Sequence, residues 1–171
     1  MGMKENPFAE GALIEVDMRF NEVEDYANKM ADSATDALKK AKSRGMHYAL
    51  LTNRNPALYK IDYASEYTAQ LVKMMSQIDM AFRLIRTAHS SGYLETEIAE
   101  LYIRNMRRKV RMVYDRIIHY ANKITPGITR DDIKRRTAKA ETMIDKLGLP
   151  HQDILAKKMT FKVKRIPELA I

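Results

Sequence analysis

The chain has 171 residues, 46% of them apolar, with 30 basic and 22 acidic side chains and a formal net charge of +8. The apolar share suffices for a core and excludes a disordered tail protein, whose composition could not offset the entropy of ordering. The absence of cysteine excludes disulfides, thiolate zinc sites and cysteine nucleophiles, and no apolar run approaches the ~20 residues of a spanning helix.

In residues 12–20, Ala12, Ile14, Val16, Met18 and Phe20 alternate with Leu13, Glu15, Asp17 and Arg19. Period two predicts a half-buried strand. Asn21, with Glu24 as capping-box partner, predicts a helix behind it. Its inner face is Val23, Tyr26, Ala27, Met30, Ala31, Ala34, Leu38 and Ala41, and it closes at Gly45 after a cationic last turn. Residues 46–52 fit a strand or a turn, and Asn53-Arg54-Asn55-Pro56 is a turn signal. A long helix follows from about Tyr63 to Ala88, with stripe Tyr67, Leu71, Met74, Ile78, Phe82 and Ile85. Ser90-Ser91-Gly92 ends it, and a second runs from about Leu94 to Lys123 on Ile98, Tyr102, Met106, Val110, Val113, Ile117, Tyr120 and Ile124. The short connection predicts an antiparallel pair. After Pro126-Gly127, Thr129 and Asp132 cap a further helix with inner face Ile133, Thr137, Ala140, Ile144 and Leu147, stopped by Gly148-Leu149-Pro150. In the tail, Met159, Phe161 and Val163 alternate with Thr160, Lys162 and Lys164, a second strand pattern whose polar face is cationic. Opposite charges across a strand pair stabilise it, so this strand is expected to pair with residues 12–20, within one chain or across a dimer. The expected fold is mainly α with a small antiparallel β-ribbon. It forms one domain over 1–171: acidic strand and helix (1–45), long helix pair (46–125), basic helix and strand (126–171). The N-terminus has no apolar signal core, and Asn6 stands where a myristoylation signal needs Ser or Thr; a cytoplasmic protein is expected.

The residue set offers little for catalysis. The six glycines build no phosphate-cradling loop. The four histidines are scattered; Asp115 and His119 are four apart on one helix but have no third ligand. Glu95, Glu97 and Glu100 read as helix-start charges and partners for Arg104. No enzyme, metal or cofactor is expected.

The charge is unevenly placed: residues 1–37 sum to −6 and residues 38–171 to +14. Such an excess of cations attracts polyanions, nucleic acid first among them. At 100° per residue, Arg104, Arg107, Arg108 and Arg111 fall within an arc of about 100°, opposite the apolar stripe. Four guanidiniums on one face repel each other unless an anion is near, and their planar forks suit phosphate. Arg130, Lys134, Arg135, Arg136 and Lys139 form a second cluster, and Lys157, Lys158, Lys162, Lys164 and Arg165 a third. Thr160, Lys162 and Lys164 are candidates for base reading from a ribbon in the major groove. The helical arginines would contact phosphates and set register. The rival reading is a helical scaffold whose Ala- and Met-rich faces bind other proteins.

The run Ser91-Gly-Tyr-Leu-Glu-Thr-Glu-Ile-Ala-Glu, then Arg107-Arg-Lys-Val-Arg, then Pro126-Gly-Ile-Thr-Arg-Asp-Asp-Ile-Lys-Arg-Arg-Thr-Ala-Lys-Ala resembles the AcaB-like family of conjugative-element proteins. Arg54-Asn-Pro, Gly148-Leu-Pro and Ile154-Leu fit the same pattern, over roughly residues 54–166. The resemblance implies a transcriptional regulator carried on a conjugative plasmid or integrative element. Such a protein would bind promoter DNA and control transfer genes. It also implies a ribbon-helix-helix relative that binds double-stranded DNA as a homodimer through paired strands. The two long helices depart from the compact form of that motif.

Overall fold

A computed structural model describes residues 6–52 and 66–159. Among them are six helices and no strand: α1 (Pro7–Ser43), α2 (Glu66–Ser90), α3 (Thr96–Ala121), α4 (Arg130–Lys134), α5 (Ala138–Leu147) and α6 (Gln152–Leu155). The described residues divide into two compact units, one of 6–20 and 111–159, the other of 21–52 and 66–110.

The expected strand at 12–20 is instead part of α1. Its start is written in Asn6-Pro7. The Asn6 carboxamide oxygen accepts from the amides of Phe8 and Ala9 at 3.0 and 3.4 Å, and its Nδ2 donates to the Thr125 carbonyl at 2.9 Å. Pro7, at the first helical position, needs no hydrogen-bond acceptor. From there the buried residues are Phe8, Ala9, Ala12, Val16, Phe20 and Val23, whereas Met18 is 59% exposed. Ala12, Val16 and Phe20 are four apart, so they satisfy a period of two and of 3.6 alike. Met18 separates the two patterns. Asn21, the expected helix cap, therefore lies inside α1. Gly11, a weak residue in a helix interior, has a packing reason: a Cβ there would stand 3.3 Å from the Ile154 Cδ1 of α6.

In the first unit Phe8, Ile128, Ile133, Ala140 and Met143 form the core, with Ile124, Ile144, Leu147 and Leu155 against it. The single helix expected after Thr129 is two. α4 ends at Lys134 with Arg135 as its C-cap, Arg136 takes a positive φ of 53°, and Thr137 is the extended N-cap of α5. The amide of Thr137 closes back on the Asp132 carbonyl at 3.1 Å. Gly148, at φ 80°, ends α5 as its sequence position suggested.

In the second unit, the small and apolar side chains Val23, Ala27, Met30, Ala34, Leu38 and Ala41 of α1 are buried. So are Met74, Ile78, Ala81, Ile85 and Ala88 of α2, and Ala99 and Met106 of α3. Within this unit Glu22 meets Lys109 and Tyr26 meets Tyr102, so α3 runs antiparallel to α1. Glu24 takes hydrogen bonds from Lys73 and Gln77 of α2, at 3.0 and 2.9 Å. The ambiguous segment 46–52 is neither helix nor strand. It is pinned to α2, where Thr87 Oγ1 accepts the Leu51 amide and Arg83 Nε donates to the Leu51 carbonyl, both at 3.0 Å.

Candidate nucleic-acid interface

Six cationic side chains lie along α3 between 104 and 116, and they divide by orientation. Lys109 and Arg116 stand 60–80° from Met106 on the helix wheel, by ~100° per residue, and they turn toward α1. Lys109 Nζ is 3.8 Å from Glu22 and 5.7 Å from the centre of the Tyr26 ring. Arg116 Nε is 3.1 Å from Glu15. Glu15 also accepts the Tyr120 hydroxyl. Burial first, then that hydrogen bond and the charge of Glu15, push the Tyr120 phenol up to about 12, with Arg116 acting in the opposite sense. Glu15, expected to face a cationic strand, meets α3 instead.

The other four, Arg104, Arg107, Arg108 and Arg111, are exposed. The residues on the opposite side, Met106 and Val113, are buried. None of the four makes an ion pair or side-chain hydrogen bond among the described residues. Arg104, Arg107 and Arg108 belong to the second unit and Arg111 opens α3's share of the first. Glu100, expected as a partner for Arg104, is exposed and forms no salt bridge with it. Each guanidinium thus presents its full set of donors to solvent, the state in which it can take a phosphate oxygen pair.

The second basic cluster is less uniform than its sequence suggests. Lys134, Arg135 and Lys139 are exposed and have no salt-bridge partner among the described residues. Arg136 is paired with Glu141 at 3.0 Å. Arg130 departs most from the expectation. It is largely buried, bound to Glu10 of α1, and donates from Nε and Nη2 to the Ile154 carbonyl at 3.1 and 3.0 Å. These bonds make it a structural clamp within the first unit. Its place directly after a helix cap was the only sequence sign of this. In the third cluster, Lys157 and Lys158 are exposed. Thr160, Lys162, Lys164 and Arg165, and with them the tail strand and its ribbon, lie outside the described residues.

The cap of α4 is the expected box. Thr129 Oγ1 accepts the Asp132 amide, and the Thr129 amide and hydroxyl both donate to the Asp132 carboxylate, at 2.9 and 2.7 Å. The Thr129 hydroxyl, then its amide, hold the Asp132 carboxyl below its ordinary 3.8, and nearby Lys139 adds to this. A depressed folded-state value means that stabilisation is present above 3.8 and is lost as pH falls through the folded value. Asp132→Asn is therefore expected to flatten the loss of thermal stability on the acid limb below 3.8, relative to wild type. An identical acid limb in the variant would show that the box does not couple to folding.

No group of three or more His, Asp or Glu side chains that could hold a metal ion occurs among the described residues. No helix among them is long and apolar enough to cross a membrane.

A family model described as "Transcriptional regulator AcaB" matches residues 2–166. The match takes in α1, beyond the span of roughly 54–166 that carries the sequence motifs. No curated protein and no solved structure matches the chain.

Proposed function

Because the chain belongs to the AcaB family of transcriptional regulators, which are not enzymes, we propose that it regulates transcription by binding double-stranded DNA as a homodimer, with the arginine face of α3 on the phosphates. The observation that carries this reading is the exposure of Arg104, Arg107, Arg108 and Arg111 with no carboxylate partner among the described residues. Lys134 and Arg135 supply further phosphate contacts from the end of α4 and its C-cap. Base reading falls to Thr160, Lys162 and Lys164 on their sequence pattern, with Arg165 a further DNA contact, and conjugative-transfer promoters are the targets that the motif resemblance favours. Of the faces that the scaffold reading would use, the alanines Ala27, Ala34, Ala41, Ala81 and Ala88 are buried in the chain's own core, whereas Met18, Met75, Met80 and Met112 are exposed and stay open to a protein partner.

The test is a gel-shift titration of random-sequence duplex at low salt. A DNA-binding regulator retards it in the ~1–100 μM range or below, and its affinity for the promoter is roughly 10³-fold or more tighter. No retardation below about 100 μM at low salt would leave the basic surface to an acidic protein partner.

A further inference from the structure

The arginine face of α3 is short, and it is closed at both ends by charge of the opposite sign. By helix arithmetic at ~100° and ~1.5 Å per residue, Arg104 to Arg111 covers about 10.5 Å of axis. Glu97 and Glu100 lie before it and Asp115 after it, and all three fall within the same arc of the wheel. Glu97, Glu100 and Asp115 are exposed and make no salt bridge among the described residues. Glu100 stands four residues from Arg104 and Asp115 four from Arg111, the spacing at which side chains on a helix can meet. Each is nevertheless more than a salt-bridge length from its neighbour, so the carboxylates leave the guanidinium donors unoccupied and delimit the face. About 6 Å of axis separates each from the nearest arginine, which is inside the Debye length at 0.15 M. A polyanion laid along α3 is therefore attracted over two turns and repelled at both ends.

Resting on the DNA-binding reading above, we propose that Glu100 and Asp115 bracket the contact, so that α3 takes a run of about three consecutive phosphates of one strand and reads no base. Apart from Thr96, Leu101, Met112, Tyr114 and Ile118, the exposed side chains in and beside this arc are charged, and the arginines are already committed to phosphate. The carboxylates could contribute to base recognition only by accepting from cytosine N4. That role demands the opposite response to their neutralisation.

The experiment uses the full chain with Glu100→Gln and Asp115→Asn combined, and fluorescence anisotropy on two random duplexes at 0.15 M salt, one G·C-rich and one A·T-rich. Both duplexes should bind about three- to tenfold tighter than to wild type, by the same factor, because two repulsive charges have been removed from the ends of the footprint. Unchanged affinity, weaker binding, or a change confined to one duplex would overturn the bracket, the last marking a base-reading carboxylate. Wild type binding neither duplex would instead be the failure of the DNA reading itself, and the bracket would fall with it. Circular dichroism confirms that the helix is retained, as both substituted residues are exposed.

Discussion

Replacing Arg104, Arg107 and Arg108 together by alanine is expected to weaken binding to every duplex, promoter or random, and by nearly the same factor. Each neutralised phosphate contributes about −0.9 to the slope of log affinity against log salt. Three lost contacts lower that slope by about 2.7 per engaged subunit, and by about 5.4 if both subunits of a dimer lie on the DNA. At 0.15 M salt, some 0.8 decades below 1 M, three contacts correspond to about a hundredfold in affinity per subunit. The slope difference therefore reports the number of engaged subunits as well as the contact. Arginine and alanine are both good helix formers, and these side chains touch no carboxylate among the described residues. The thermal midpoint should accordingly stay near wild type. A triple variant with wild-type affinity and slope would remove α3 from the interface and direct attention to Lys134 and Arg135.

How far this surface could be read from sequence depends on which residues are asked about. The arginine arc follows from spacing alone, because a helix projects residues three, four and seven apart onto one side whatever surrounds it. The buried stripe of α1 from Val23 to Ala41 was legible for the same reason. The first third of α1 was not, because Ala12, Val16 and Phe20 fit two periods and Gly11 weakens the helical one. Asn6 and Pro7 carried the correct answer, but their cap precedes a segment whose alternation is the louder signal. The break between α4 and α5 was hidden because Ile133, Ala140, Ile144 and Leu147 keep helical spacing across it. A positive φ at Arg136 has no residue-type signature when the residue is not glycine. Charge was the hardest to apportion: Lys109, Arg116 and Arg130 count toward the basic excess in the sequence, yet each is met by a glutamate of α1.

Arg130 gives that last point its sharpest test. Its side chain is 13% exposed and that of Glu10 14%, so solvent screens the pair only weakly. Its guanidinium ties α4 to the first turn of α1 and to the end of α6 at once. Arg130→Ala removes the cation beside Glu10 and takes two of three donors from the Ile154 carbonyl, leaving the Lys157 amide at 3.2 Å. The expected cost is about 3–5 kcal/mol, the range for breaking a buried ion pair from one side, read as a lower urea midpoint. The double substitution Glu10→Met with Arg130→Met should regain much of that loss, because two apolar side chains of similar volume need no mutual charge. Under conditions where the single variant remains folded, its DNA salt slope should equal that of wild type. A variant as stable as wild type whose slope falls by about 0.9 would instead make Arg130 a phosphate contact, released from Glu10 when DNA binds.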